Sequence, residues 1–412
     1  MDYWREFQQK WLGYVPLFLL TLGCGIDSGR LMAVAFLCHL LICKKKSCLI
    51  LSSFDLQEKK LPYFGTLRKD TKVRQTVLVI VFSLLCAAVT LPFNHGQGGL
   101  LLKYIERMIP LVLVIFLVRP GGETFKTLWF GILASMAWYI GDICLHPVWS
   151  SGRLVGSFGN PNSLAGIMLI LIPIGLFGVI RYRRECPKAA IAATLLTAAS
   201  VCILVCTGSR NAYLSFAIIF VLCFYMIWRY RDWMSIKILA VFVIVVGLAA
   251  AIAAPGLVSQ RLQNNVQRDG RVYLMKSAVQ LIEEKPLVGI GLGNWGKVYR
   301  ERFEATNPNH EVGIQSPHNI YLQVWNETGL IGFIGFLSLV GFQLGSMIRA
   351  LRRFYRRQPH GFPWLAGLFM PLLAIFLFGL MDYDFFSRHM MHLYWFYWGF
   401  CLYAMLYYVK EI

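Results

Sequence analysis

Apolar runs of roughly 20 residues, parted by short charged or turn-forming connections, recur from one end of this chain to the other and leave little choice of fold. A bilayer core about 30 Å thick takes roughly 20 apolar residues per helical crossing, and only helices or closed barrels satisfy their own backbone there. Twelve spans are expected: Leu12 to Gly25, Arg30 to Cys43, Gln75 to Pro92, Leu101 to Val118, Phe125 to Cys144, Asn162 to Ile180, Ala189 to Cys206, Arg210 to Trp228, Ile236 to Ala254, Leu330 to Met347, Pro363 to Met381 and Met391 to Val409. The first two are short. The first runs into the second without a small-residue cleavage site, so it is expected to stay as a span. Composition agrees, because 412 residues that are 57% hydrophobic and 15% charged are too apolar for a soluble domain. The expected fold class is therefore all-α: a polytopic integral membrane protein of about 12 transmembrane helices with one large extracytoplasmic loop containing short helices. Residues 1–254 and 329–412 form the bundle and residues 255–328 the loop.

Orientation follows from Lys and Arg in the short connections. With the N-terminus inside, 26 of the 40 basic residues fall on inner segments and 6 on short outer ones, the remaining 8 lying in the long loop. Both termini are thus expected in the cytoplasm, and the long loop on the extracytoplasmic face. The net charge of +19 sits mostly in the inner connections, where anionic headgroups account for it, so nucleic acid is not an expected partner. The eleven cysteines avoid the long loop and no pair has zinc-ligand spacing, so neither a disulfide framework nor a metal is expected.

Three stretches depart from a plain bundle. In the loop, Val272 to Glu284 carries apolar residues at a period near 3.6 and is stopped by Pro286, which predicts an amphipathic helix. A second helix is expected from Pro317 to Glu327. Between them "PLVGIGLGNW" has glycines at alternate positions but no βαβ context, so it reads as a tight turn or close backbone packing rather than a nucleotide loop. The second stretch, "GRLVGSFGNPNS" from Gly152 to Ser163, suits a loop that caps the sixth span through Asn160 or Asn162. In the third, "CTGSRNAY", Thr207 to Arg210 is nearly the whole connection between two spans, which pins Arg210 at membrane depth. A charge there costs a few kcal/mol unless it faces a wet cavity or a partner, which marks Arg210 as a site residue. Asp382 and Asp384, with Arg388 nearby, read as a solvated salt-bridged turn rather than a metal-binding Asp-x-Asp.

In order, "GSFGNPNSLAG", "TGSRNAY", "GRVYLMKSAVQLIEEKPLVGIGLGNW" and "SPHNIYLQVWNETGLIG" resemble the O-antigen ligase and polymerase superfamily of bacterial membrane glycosyltransferases, over about Gly152 to Gly332. The resemblance implies transfer of a glycan from undecaprenyl diphosphate to an acceptor sugar hydroxyl outside the inner membrane, with no cofactor, nucleotide sugar or metal. The partners it implies are the undecaprenyl-diphosphate-linked glycan donor, an acceptor glycolipid of the lipid A-core type or a second lipid-linked glycan, and membrane lipids. The catalytic residues it implies are Arg210 in "TGSR", Arg271 in "GR" and His318 in "HN", with Arg153, Asn160, Asn162, Asn319, Tyr321 and Trp325 as substrate-binding candidates. Where the family often has Trp after the second arginine, this chain has Tyr273 and Leu274.

The chemistry of the residues agrees. Guanidinium forks match the oxygens of a diphosphate leaving group better than ammonium groups do. Histidine, with an ordinary pKa of about 6.5, can take a proton from a hydroxyl near neutrality. His310 competes with His318 for that role. Glu327 is a possible orienter, although nine helical residues turn it away from His318. On a helix from Pro317, Tyr321, Leu322 and Trp325 share His318's side, which suits sugar stacking or ordinary packing equally. A polymerase would use the same donor chemistry and remains open beside a ligase. A flippase, which needs charges midway along several spans, is disfavoured because the charges cluster at outer ends.

Overall fold

The computed structural model describes residues 14–46, 71–117, 122–229, 270–310, 312–357, 362–382 and 384–410. The helices are α1 (Val15–Gly25), α2 (Gly29–Lys46), α3 (Thr71–Asn94), α4 (Gly98–Glu106), α5 (Ile109–Leu117), α6 (Gly122–Leu145), α7 (Pro161–Tyr182), α8 (Pro187–Cys206) and α9 (Arg210–Arg229). They continue with α10 (Gly270–Glu284), α11 (Trp295–Arg302), α12 (Ile320–Arg357), α13 (Phe362–Phe378) and α14 (Arg388–Lys410). A two-residue antiparallel ribbon, β1 (Trp149–Ser150) with β2 (Arg153–Leu154), is a small departure from an all-α fold.

Among the described residues, six helices are long and apolar enough to cross a bilayer, and α1, the start of α2 and α13 are shorter apolar helices. The chain is a multi-helix membrane protein, but twelve crossings are not reproduced. The expected fourth span breaks at Arg107 and Met108 into α4 and α5. The ninth, Ile236 to Ala254, lies outside the described residues. The helix expected to end at Glu327 instead continues into the tenth span. The two are one element, α12, interrupted only where Gly329 takes φ 61° and ψ −172°.

Burial sorts the helices into a core and a lipid-facing layer. The apolar window of α7 is 94% buried, whereas that of α3 is 11% buried and turns its surface to lipid. α7 packs between α13 and α8, and Gly178 meets the ring of Trp129 from α6, where a Cβ would lie 2.2 Å from it. α13 is buried along nearly its whole length. Pro161 and Pro187 open α7 and α8 at positions whose N–H has no helical acceptor, so proline costs nothing there.

The segment between α10 and α12 has a small core of its own, formed with α10 by Leu274, Leu281, Ile290, Trp295, Tyr299 and Phe303. It rests on the bundle, as its length requires. The glycine stretch makes that contact by close packing. Gly289, Gly291 and Gly293 all have positive φ, and a Cβ on Gly289 would lie 2.5 Å from the Asn326 carbonyl oxygen. Ile290 N–H donates to Asn326 O at 2.8 Å and Gly291 N–H to Glu327 O at 3.0 Å, so the turn is pinned to the start of α12.

Candidate functional site

Four chain segments meet at the corner that ends α13. Asn211, second residue of α9, donates its side-chain amide to Phe378 O at 2.6 Å. From α12, Ile320 N–H donates to Gly379 O at 2.9 Å and the Asn319 side-chain amide to Leu380 O at 2.9 Å. Arg271, second residue of α10, reaches the next turn of that corner, where its Nη2 lies 3.4 Å from Asp382 Oδ2. Helices α9, α10 and α12 therefore begin around one backbone corner, and each start carries the positive end of a helix dipole.

The geometry of His318 differs from the helical placement expected. It precedes α12 with φ 53°, a left-handed conformation uncommon for residues with a side chain, and so lies outside the helix that carries Tyr321 and Trp325. Asn319 is the helix cap, its Oδ1 accepting from Tyr321 N–H at 2.9 Å and Leu322 N–H at 3.0 Å. The turn directs His318 Nδ1 toward Asp382 Oδ1, at 3.8 Å, where the nitrogen is buried without a hydrogen bond. His310 also has a left-handed φ, of 52°, so strain does not separate the two histidines. Burial does, for His310 is exposed, in a turn closed by its N–H on Asn307 O.

Asp382 corrects the reading of a solvated turn. It is 4% exposed and stands between Arg271 and His318, because the turn after α13 is folded against the start of α10 and the turn before α12. Arg388 pairs instead with Asp27, through Nη2 at 2.9 Å and Nε at 3.1 Å. The signal was present in the sequence: an acid directly after the apolar run "FLFGLM" sits where burial is strong, and a buried carboxylate needs a partner.

The other residues read from the sequence fall into two groups. Arg153 gives Nε to Thr207 O at 2.7 Å and Nη2 to Asn162 Oδ1 at 2.7 Å, and Asn160 Oδ1 accepts from Asn162 N–H at 2.8 Å. These bonds fix the loop before α7 against the connection that leads to Arg210. Tyr321 and Trp325 are engaged in packing. Tyr321 Oη donates to Phe376 O at 3.1 Å, and Trp325 stacks on Phe333 with ring centroids 5.0 Å apart while its Nε1 reaches Pro286 O at 3.3 Å. Glu327 ties α12 to the segment between α10 and α12, here called the capping segment, its Oε1 accepting from Trp295 N–H at 3.3 Å and Gln323 Nε2 at 2.6 Å, and does not orient His318. Tyr273, at the position where the family often has Trp, bonds Phe303 O at 3.0 Å and Thr306 Oγ1 at 2.7 Å, so it ties α10 to the segment after α11.

Arg271, His318 and the buried Asp382 thus meet at one corner of the helix bundle, which also receives the start of α9 beside Arg210. Residues 195–337, which include Arg210, Arg271 and His318, match the family model described as O-antigen ligase, and this match supports the resemblance to the O-antigen ligase and polymerase superfamily. No curated protein matches the chain.

Proposed function

We propose that the chain is an O-antigen ligase-like glycosyltransferase of the bacterial inner membrane, which moves a glycan from undecaprenyl diphosphate to a sugar hydroxyl of a lipid A-core type acceptor on the extracytoplasmic side. The observation that carries this reading is the meeting of Arg271 and His318 on Asp382 at the corner that also receives the start of α9, next to Arg210. The acceptor oxygen attacks the anomeric carbon, the bond from that carbon to the diphosphate breaks, and the diphosphate leaves with the electron pair. His318 takes the hydroxyl proton on Nε2, because Nδ1 faces the Asp382 carboxylate and carries its own proton toward it. Arg210 and Arg271 meet the charge that grows on the leaving group, helped by the helix starts around them.

Deletion of the gene should leave lipid-linked glycan polymer unattached, and accumulation of single repeat units instead would replace the ligase reading with a polymerase. Complementation with Arg210→Lys or Arg271→Lys should restore roughly a tenth to a hundredth of transfer, since a planar fork on a diphosphate is not matched by a point charge and charged hydrogen bonds are worth about 1.5 to 3 kcal/mol. Normal attachment in both lysine strains, at equal protein levels, would remove these arginines from the diphosphate site.

The orientation is tested separately. In a chain cleared of native cysteines, one placed at exposed Asn309 should react with a membrane-impermeant thiol reagent in spheroplasts, and one at exposed Glu185 should not. Labelling at Glu185 alone reverses the topology.

A further inference from the structure

Beside the corner site lies a cavity of about 100 Å³, walled by α3, α4, α12 and α14. Six of its nineteen lining residues are aromatic, Tyr104, Phe336, Phe385, Phe386, Tyr394 and Trp395, and it is not purely apolar, since Glu327 lines it too. Gln323 also lines it, is 2% exposed, and has an Oε1 that accepts no hydrogen bond within the protein. The wall formed by α3 belongs to the helix that faces lipid, where Leu85 and Val89 are more than half exposed beside the lining residues Leu84 and Ala87. A chain from the bilayer therefore has the shortest approach.

Arg107 stands at the rim. It occupies the turn between α4 and α5, half-buried, and donates Nη1 to Phe386 O, with Met391 Sδ at 3.9 Å and the Tyr104 ring 5.6 Å from its Cζ. All three neighbours line the cavity. Among the described residues Arg107 meets no carboxylate, so a guanidinium with five donors faces one carbonyl, one thioether and one ring. A cation in a membrane bundle without a counter-ion calls for an anionic ligand.

We propose that this cavity is a second lipid site, separate from the Arg210, Arg271 and His318 cluster, which takes a lipid ending in a phosphate: the first carbons of the chain among the rings and the phosphate on Arg107. An isoprenyl phosphate and a glycerophospholipid share that chemistry, and the inference goes beyond the transferase reading because binding here needs no turnover.

The test uses the full chain in nanodiscs with two photoactivatable probes, an isoprenyl phosphate and a phosphatidylglycerol, each bearing a diazirine near the phosphate. Adducts should map to the peptides spanning residues 98–108 and 385–395 with at least one probe. Arg107→Ala should reduce them about tenfold or more, as loss of a charged contact implies. Ala87→Trp, which fills the cavity from α3 and keeps the charge, should reduce them as well, so a folding defect of one variant does not decide the result. Labelling by the isoprenyl probe alone identifies a lipid-linked substrate or product, and labelling by phosphatidylglycerol alone identifies a bilayer lipid. Adducts absent from both peptides, or unchanged by both variants, overturn the proposal. An inactive chain that labels here sinks the transferase reading and keeps this one.

Discussion

His318→Gln is expected to lower glycan transfer by roughly a hundredfold or more, the usual worth of a positioned general base, while binding of the lipid-linked donor survives. Glutamine keeps a hydrogen-bonding side chain of similar reach, so a residue that only shapes the turn before α12 would tolerate the change. The geometry argues for more than shape. His318 Nδ1 is buried beside Asp382 without bonding to it, and apo sites often hold catalytic pairs slightly too long for a hydrogen bond. Asp382→Asn should act in the same direction, because an amide neither stabilises the imidazolium nor fixes which nitrogen carries the proton. Transfer and donor binding measured on purified protein separate the roles. A His318→Gln chain with wild-type turnover would return His318 to a structural part and make His310 the next residue to examine.

The largest effect on folding is expected at Gly329. Its φ of 61° with ψ of −172° is a backbone state open in practice only to glycine. A Cβ there would lie 2.2 Å from both the carbonyl carbon and oxygen of Leu287 and 2.4 Å from Val288 N, which are backbone atoms that cannot swing aside. Gly329→Ala combines strain with a clash, and a loss above about 4 kcal/mol follows, most of the margin of a marginally stable domain. The protein should fail to accumulate in the membrane. Gly341→Ala, in the same helix but with open space around the added carbon, should accumulate normally and be slightly more stable, by up to about 1 kcal/mol. Equal levels of both variants on an immunoblot of membranes would show that the break in α12 is not required.

Much of the bundle could be read in advance because a span announces itself by hydropathy alone. Helices α3, α6, α7, α8 and α9 follow from that signal with small shifts of their ends. The interruption at Arg107 did not, since two short apolar helices and one long one have the same mean hydropathy. Nor did the fusion across Gly329, where a non-helical residue separates two helices without reversing the chain.

At the site, Arg271 and His318 could be named from local motifs because their neighbours in sequence are distinctive. Asp382 is 64 residues beyond His318, and nothing local says that the two meet. That contact is made by tertiary packing, through Asn319 and Ile320 on the backbone of Gly379 and Leu380. For the same reason the packing of the Tyr321 and Trp325 rings against Phe336 and Phe333 was not legible in the sequence.

The fastening of the capping segment bears on how a substrate arrives. At the break in α12, Leu330 N–H donates to Pro286 O at 2.8 Å and Ile331 N–H to Leu287 O at 3.3 Å, while Ile290 and Gly291 bond back to the last carbonyls before the break. Amides freed by the interrupted helix are thus consumed by the cap, and cap amides by the helix. Raising this segment like a lid would break two hydrogen bonds on each side at once. Such fastening resists a swinging motion, and for the proposed lipid-linked donor it favours a path between helices over one beneath the cap.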